Sequence, residues 1–131
     1  MTFKYAFHSL KDSKGKVVVV NSIASRTGSK LSGFEYTTSK AGLSGLVKQL
    51  AVDWAVDGVL INSVFPSMVG TPMLYENNEP SDLKLIENQI PLGRIAQPIE
   101  IARLIEFLIS DKNTYMSGSG IDINGAQYLS G

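Results

Sequence analysis

Apolar residues alternate along this chain between helical spacing and short continuous runs. Residues 1–10 carry apolar side chains at helical spacing, which predicts a helix that ends before Gly15. The continuous β-branched run Val17–Val20 predicts a strand covered on both faces, as in a parallel sheet. Serine, threonine, glycine and lysine residues dominate from Ser22 to Glu35, so this stretch is predicted to be a loop.

Two longer helices and two further strands are predicted in the rest of the chain. Residues 36–56 form a helix that stops at Asp57-Gly58, and Val59–Val64 form the next buried strand. Pro98 opens the final helix as its first residue, and residues 120–125 form a short terminal strand. The apolar residues of the 36–56 helix are predicted to share one broad face: Ala41, Leu43, Leu46, Val47, Leu50, Ala51, Trp54 and Ala55.

Residues 66–91 lack a regular pattern, apart from a short helix predicted near 82–88. Irregular stretches of this length in compact domains are usually functional or mobile. Across the whole chain, the alternation of helices and strands implies a parallel sheet with right-handed crossovers. The sequence therefore predicts an α/β fold in which about three strands are flanked by helices.

Composition excludes several classes of function. The chain has 131 residues, which suits one domain, and 12 Lys+Arg balance 12 Asp+Glu, so no nucleic-acid partner is expected. It has no cysteine, and His8 has no second ligand type near it, so no metal site is predicted. The N-terminus lacks the apolar segment of a signal peptide, and no apolar run is long enough to span a membrane. We therefore expect a soluble cytoplasmic protein.

Tyr36 and Lys40 carry the candidate chemistry. Four residues apart at the start of a helix, they lie on one face and can act on the same group. Free tyrosine titrates near pH 10 and is a poor base at neutral pH, but a neighbouring ammonium stabilises its phenolate. The structural alternative is an exposed pair at the start of an ordinary amphipathic helix.

The surrounding sequence supports the chemical interpretation of this pair. Asn21-Ser22 follows the first strand, and residues 62–66, Asn-Ser-Val-Phe-Pro, end the second. This order of strand, serine, loop, Tyr-x-x-x-Lys helix, strand and proline resembles the short-chain dehydrogenase/reductase family. The resemblance covers nearly the whole chain but only the C-terminal half of the family. It implies the C-terminal half of a Rossmann-like, doubly wound parallel sheet, with residues 1–131 as one partial domain.

The resemblance also implies roles for three side chains in interconverting an alcohol and a ketone or aldehyde. Tyr36 would be the acid/base, Ser22 would donate a hydrogen bond to the substrate oxygen, and Lys40 would stabilise the tyrosinate and contact the ribose. Ser25 is the rival of Ser22, but it stands where the family often has a glycine.

A nicotinamide cofactor, NAD or NADP, follows from the same resemblance. Pro66, Val69 and Thr71 match the segment that meets the nicotinamide in the family, whereas Ser67 replaces its usual glycine. The alternative for this segment is an ordinary proline-containing loop. The glycine-rich phosphate-binding loop of the family is absent from this sequence, and the catalytic asparagine of the family would align before Met1.

Two alternatives to an oxidoreductase of small alcohols or carbonyls remain open. The first is a non-catalytic interaction module, because the 36–56 and 98–110 helices form subunit interfaces in the family and imply a homo-oligomer. The second is a Ser/Lys hydrolase, suggested by Ser-x-x-Lys at 13–16 and 81–84. Both copies lie in polar turns, and no Gly-x-Ser-x-Gly elbow supports this hypothesis.

Two further expectations concern the surface. Residues 72–91 are predicted to form the substrate wall through Met73, Leu74 and Tyr75, the alternative being a mobile flap with no role in specificity. Half of a Rossmann-like sheet would also leave a strand edge and apolar helix faces uncovered. Such surfaces promote association, so we expect poor solubility or oligomerisation of the chain alone.

Overall fold

The computed structural model describes residues 2–28 and 32–130. Met1 of the first predicted helix and residues 29–31 of the predicted loop lie outside the described residues. Helices and strands alternate in the predicted order. The helices are α1 (Thr2–Ser13), α2 (Ala24–Thr27), α3 (Phe34–Ala55), α4 (Pro72–Glu76), α5 (Pro80–Asn88) and α6 (Pro98–Ile109), and the strands are β1 (Lys16–Val20), β2 (Leu60–Pro66) and β3 (Gly120–Ile123).

Strand β2 is the centre of a parallel sheet with the order β1-β2-β3. Val17 of β1 lies opposite Ile61 of β2, and Val64 of β2 lies opposite Ile121 of β3. Residues 61–66 of β2 are all buried, whereas β1 and β3 are only partly covered. The predicted α/β fold with three parallel strands is confirmed.

Helices cover both faces of the sheet. On one face, Val17 and Val19 pack into the cluster that contains Trp54 of α3. On the other face, Val18 and Val64 pack into the cluster that contains the fully buried Leu108 of α6. Because successive side chains of a strand point to opposite faces, a continuous β-branched run needs apolar partners on both sides.

The predicted loop at residues 22–35 was wrong in part. Ala24–Thr27 forms the single turn α2, and α3 begins at Phe34, two residues before its predicted start. The turn is closed locally, since the amide of Thr27 donates to the carbonyl of Ile23 at 3.1 Å. Small polar residues occur in loops and in isolated helical turns alike, so composition does not separate the two.

The irregular stretch predicted at residues 66–91 holds two helices, α4 and α5. The sequence predicts only the second of them, near residues 82–88. Each begins with a proline in its first turn, where the missing amide hydrogen costs nothing. Helix α4 has five residues and no buried side chain, so it leaves no apolar periodicity to detect.

The apolar residues predicted to share one face of α3 are only partly buried. Val47, Ala51 and Trp54 are buried, at the spacing of one narrow stripe against the sheet. Three members of the predicted face, Ala41, Leu46 and Ala55, are exposed. The other described elements therefore cover only part of the apolar surface of α3.

Candidate active site

The carboxyl ends of β1 and β2 are joined by hydrogen bonds that continue beyond the strands. The amide of Asn21 donates to the carbonyl of Val64 at 2.9 Å, and the amide of Ile23 donates to Pro66 at 3.1 Å. The residue between them, Ser22, is therefore held beside the end of β2. Ligands of open α/β sheets bind at this edge, outside the carboxyl ends of the strands.

Ser22 is fixed by local hydrogen bonds that leave its hydroxyl proton available. Its amide donates to the side-chain oxygen of Asn21 at 2.9 Å, and its Oγ accepts from the amide of Ala24 at 3.2 Å. The Asn21 amide group donates in turn to Ser44 on α3 at 3.0 Å, which ties the turn to that helix. A hydroxyl that accepts from the backbone can still donate to a ligand.

Of the two candidate serines, the structure places only Ser22 in the same cavity as Tyr36. The hydroxyl of Ser25 donates to the carbonyl of Ser22 at 2.7 Å, and Ser25 lines a different cavity together with Arg26. The geometry therefore favours Ser22 over Ser25 as the group that meets a substrate.

Tyr36 and Lys40 lie in the first turns of α3, as their spacing predicts. The Nζ atom of Lys40 is 5.7 Å from the centre of the Tyr36 ring, within the range of a cation–π contact. The same ammonium donates to the carbonyl of Val20 at 2.9 Å, which anchors it to the end of β1. Tyr36 itself is 44% exposed.

Ser22 and Tyr36 line one cavity of about 540 Å³, a size suited to a small-molecule ligand. Its walls combine apolar side chains with hydroxyl and amide groups. The lining residues are Ser22, Ile23, Ala24, Thr27, Gly28, Ser32, Tyr36, Ser67, Met68, Ile86, Gln89 and Gln127.

The segment predicted to meet the nicotinamide lies beside this cavity, but Pro66, Val69 and Thr71 are not among its lining residues. Pro66 ends β2, and Val69 forms a parallel bridge with Ala96. Thr71 directly precedes α4, and its side chain makes no capping hydrogen bond there.

Ser67 stands where the family usually has a glycine, yet its backbone is not in the left-handed region. The serine therefore causes no backbone strain. Its hydroxyl donates to the side-chain oxygen of Gln127 at 2.5 Å. Sequence reasoning missed Gln127, because 60 residues separate it from Ser67 and no short-range pattern links the two.

Arg94, in the loop between α5 and α6, has a structural role. The Arg94 guanidinium donates two hydrogen bonds of 2.7 Å to the Glu100 carboxylate, which also accepts from the amide of Gln97. These bonds, first from Arg94 and then from the backbone, lower the pKa of Glu100 to about 2. The carboxylate thereby caps the start of α6.

Within residues 2–28 and 32–130, His, Asp and Glu side chains form no group that could hold a metal ion. In the same part of the chain, no helix combines the length and the apolar character needed to cross a membrane.

A parallel sheet with a serine and a Tyr-x-x-x-Lys pair at its carboxyl edge defines a Rossmann-like α/β protein with a candidate oxidoreductase site. The sequence model of a family described as "Enoyl-(Acyl carrier protein) reductase" matches residues 1–125. The chain belongs to the short-chain dehydrogenase/reductase family.

Curated relatives agree with this assignment. Acetoacetyl-CoA reductase from Rhizobium meliloti is 37% identical over 88% of this chain and 47% of its own length. The 3-oxoacyl-[acyl-carrier-protein] reductase of Aquifex aeolicus is 37% identical over 91% of this chain and 47% of its own length. The chain thus spans about half the length of the curated relatives it matches.

Solved structures show the same fold. A 3-oxoacyl-[acyl-carrier protein] reductase with bound NAD from Brucella melitensis superposes with a TM-score of 0.88 at 23% identity. The superposition covers 98% of this chain and 47% of that protein.

Proposed function

We propose that this chain is the C-terminal half of an NAD(P)-dependent oxidoreductase that interconverts an alcohol and a ketone or aldehyde. The observation that carries the proposal is the placement of Ser22 and Tyr36 in one ligand-sized cavity. Lys40 follows Tyr36 by one turn of the same helix. Its ammonium lies near the Tyr36 ring, where it would stabilise a tyrosinate.

The residues present fit one end of a nicotinamide dinucleotide. The segment from Pro66 to Thr71 leaves the carboxyl end of the central strand, where such ligands bind, and the side chain of Thr71 is not used for capping. A bound nicotinamide supplies or accepts the hydride. The glycine-rich segment that holds the pyrophosphate in the family has no counterpart in this sequence.

The chain's own side chains would act on the substrate oxygen. In the direction of carbonyl reduction, the Tyr36 hydroxyl donates a proton to that oxygen, and the Ser22 hydroxyl donates a hydrogen bond to it as negative charge develops. The Lys40 ammonium stabilises the tyrosinate that remains. In alcohol oxidation the proton moves in the opposite direction, from the alcohol to Tyr36.

Turnover of acetoacetyl-CoA with NADH or NADPH tests this proposal, since that substrate is named for the Rhizobium meliloti relative. Loss of an acid/base group costs roughly 10²–10⁴-fold, so Tyr36→Phe should reduce turnover by that factor. Tyr115→Phe is the matched control, because Tyr115 is 96% exposed and outside the cavity. Equal turnover by the Tyr36→Phe variant would contradict the proposal.

A second candidate function, a non-catalytic association module, is favoured by a different observation. The α3 side chains of Phe34 and Val52 are exposed at 79% and 75%, although both are large and apolar. Strand β1 is also an edge strand, and Val20 at its end is half exposed. Homo-oligomerisation through residues 36–56 and 98–110 would cover part of this surface. Oligomers in light scattering without dinucleotide binding would favour the module over the enzyme.

A further inference from the structure

We propose that Gln127 is a substrate-recognition residue, which selects carbonyl compounds that carry a second hydrogen-bond-accepting oxygen. This inference rests on the proposed function, because it concerns the same cavity that Ser22 and Tyr36 line. It adds a specificity-determining group from the C-terminal segment, beyond the serine, tyrosine and lysine considered above.

The first observation is the orientation of the Gln127 amide. Its oxygen accepts a hydrogen bond from the Ser67 hydroxyl at 2.5 Å, and both residues line the cavity. The amide nitrogen has no acceptor among residues 2–28 and 32–130. An amide that is held by its oxygen presents two N–H donors and no acceptor. A ligand that pairs with these donors must supply a hydrogen-bond acceptor, such as a carbonyl oxygen.

The second observation is the backbone that delivers Gln127. The two preceding residues, Gly125 and Ala126, have φ angles of 61° and 67°, in the left-handed region. The amide of Gln127 closes the turn by donating to the carbonyl of Asn124 at 3.1 Å. An alanine held in this conformation is strained, and backbone strain of this kind concentrates at ligand sites.

The third observation is the anchoring of the turn on both sides. The Asn124 side chain is buried and donates to the carbonyl of Tyr128 at 3.1 Å, directly beyond Gln127. Ahead of the turn, the amide of Leu92 donates to the carbonyl of Gly125 at 3.2 Å. The Gln127 side chain is therefore presented by a fixed segment, which is what selective recognition requires.

Gln89 provides a comparison within the same cavity. It also carries an amide and lines the cavity, but it is exposed at the end of α5, and no side-chain hydrogen bond to the described residues orients it. Gln127 is half-buried and held by Ser67. A site with partly buried, oriented donors discriminates against ligands that leave those donors unpaired. This difference makes Gln127 the selective amide of the pair.

Two ketones of matched shape test the inference through binding to the chain in ligand-observed NMR titrations. The probes are acetoacetamide and methyl isobutyl ketone, in which methyl groups replace the amide oxygen and nitrogen. The measured quantity is the ratio of their dissociation constants. Gln127→Glu keeps an acceptor for Ser67 but removes the donors, so the preference for acetoacetamide should fall by about 3–10-fold, the value of one hydrogen bond.

Gln89→Glu is the matched control, since it introduces the same charge into the same cavity and should leave the ratio close to wild type. An unchanged ratio in Gln127→Glu, or an equal fall in both variants, would overturn the inference. So would the failure of both ketones to bind. If Gln127→Glu lowers the preference for acetoacetamide while Tyr36→Phe turns over normally, the recognition role of Gln127 stands and the proposed catalytic role of Tyr36 fails.

Discussion

Replacing Ala126 by glycine is expected to stabilise the fold, while replacing its neighbour Gly125 by alanine should destabilise it. Both residues have positive φ, at 67° and 61°. Ala126 is exposed, so removing its methyl group loses little packing. At Gly125, an added Cβ would lie 2.6 Å from Cγ2 of Ile90, which is buried. One substitution removes a Cβ methyl group and the other adds one at the adjacent position, and opposite effects on stability are expected.

The magnitudes follow from strain, packing and chain entropy. A left-handed conformation costs a residue with a Cβ roughly 1–2 kcal/mol, which glycine avoids. Glycine also has greater freedom in the unfolded chain, and this opposes the stabilisation by roughly 0.5–1 kcal/mol. Ala126→Gly should therefore raise the free energy of unfolding by about 0.5–1 kcal/mol. Gly125→Ala adds the strain and an overpacking cost of about 1–3 kcal/mol and removes the entropy term of glycine, so a loss of about 1–4 kcal/mol is expected.

Urea unfolding followed by circular dichroism measures both changes, with protein concentration varied so that association is separated from folding. The reasoning is refuted if Ala126→Gly leaves stability unchanged or lowers it, because the left-handed backbone would then cost the alanine nothing. A neutral Gly125→Ala would likewise show that the contact with Ile90 relaxes freely.

Two other predictions test the core and the start of α6. Leu108→Ala should lower the free energy of unfolding by about 2–5 kcal/mol in the same assay, because Leu108 is fully buried between α6 and the sheet; a loss below 1 kcal/mol would contradict that packing. Glu100→Gln should destabilise the fold at neutral pH, since hydrogen bonds from Arg94 lower the pKa of Glu100 from 4.5 to about 2. This contribution is present above the unfolded pKa and is lost as pH falls from 4.5 toward 2. The difference in the free energy of unfolding between wild type and variant should therefore shrink over that range. A constant difference would contradict the assignment.

The sheet and the Ser22–Tyr36 pairing could be predicted because each depends on short-range patterns. The run Val17–Val20 needs apolar cover on both faces, which dictates a parallel strand between helices. A serine directly after one strand and a tyrosine at the start of the helix that leads to the next strand both lie at the carboxyl edge, and the family resemblance identified them as a pair. Their expected roles remain predictions, which the Tyr36→Phe experiment addresses.

What could not be predicted depends on contacts between distant positions. Ser67 and Gln127 are ordinary polar residues until the fold places them within hydrogen-bonding distance. Lys40 shows a similar limit, since its spacing predicts proximity to Tyr36 but not the bond to the carbonyl of Val20. The apolar pattern of α3 also did not indicate which of its residues are buried, since Leu46 and Ala55 belong to the predicted face and yet are exposed.

The end of β2 organises the candidate site more directly than either flanking element. Its last carbonyl, at Pro66, accepts from Ile23 and so fixes the segment that carries Ser22. The next residue, Ser67, donates to the side-chain amide oxygen of Gln127, which lies 60 residues further along the chain. Ser22 and Gln127 are thus both positioned by one buried strand end, although they belong to separate loops. Changes that shift this strand end should alter oxygen activation and substrate recognition together, whereas changes in α3 should affect Tyr36 and, through the Asn21–Ser44 hydrogen bond, Ser22, but not Gln127.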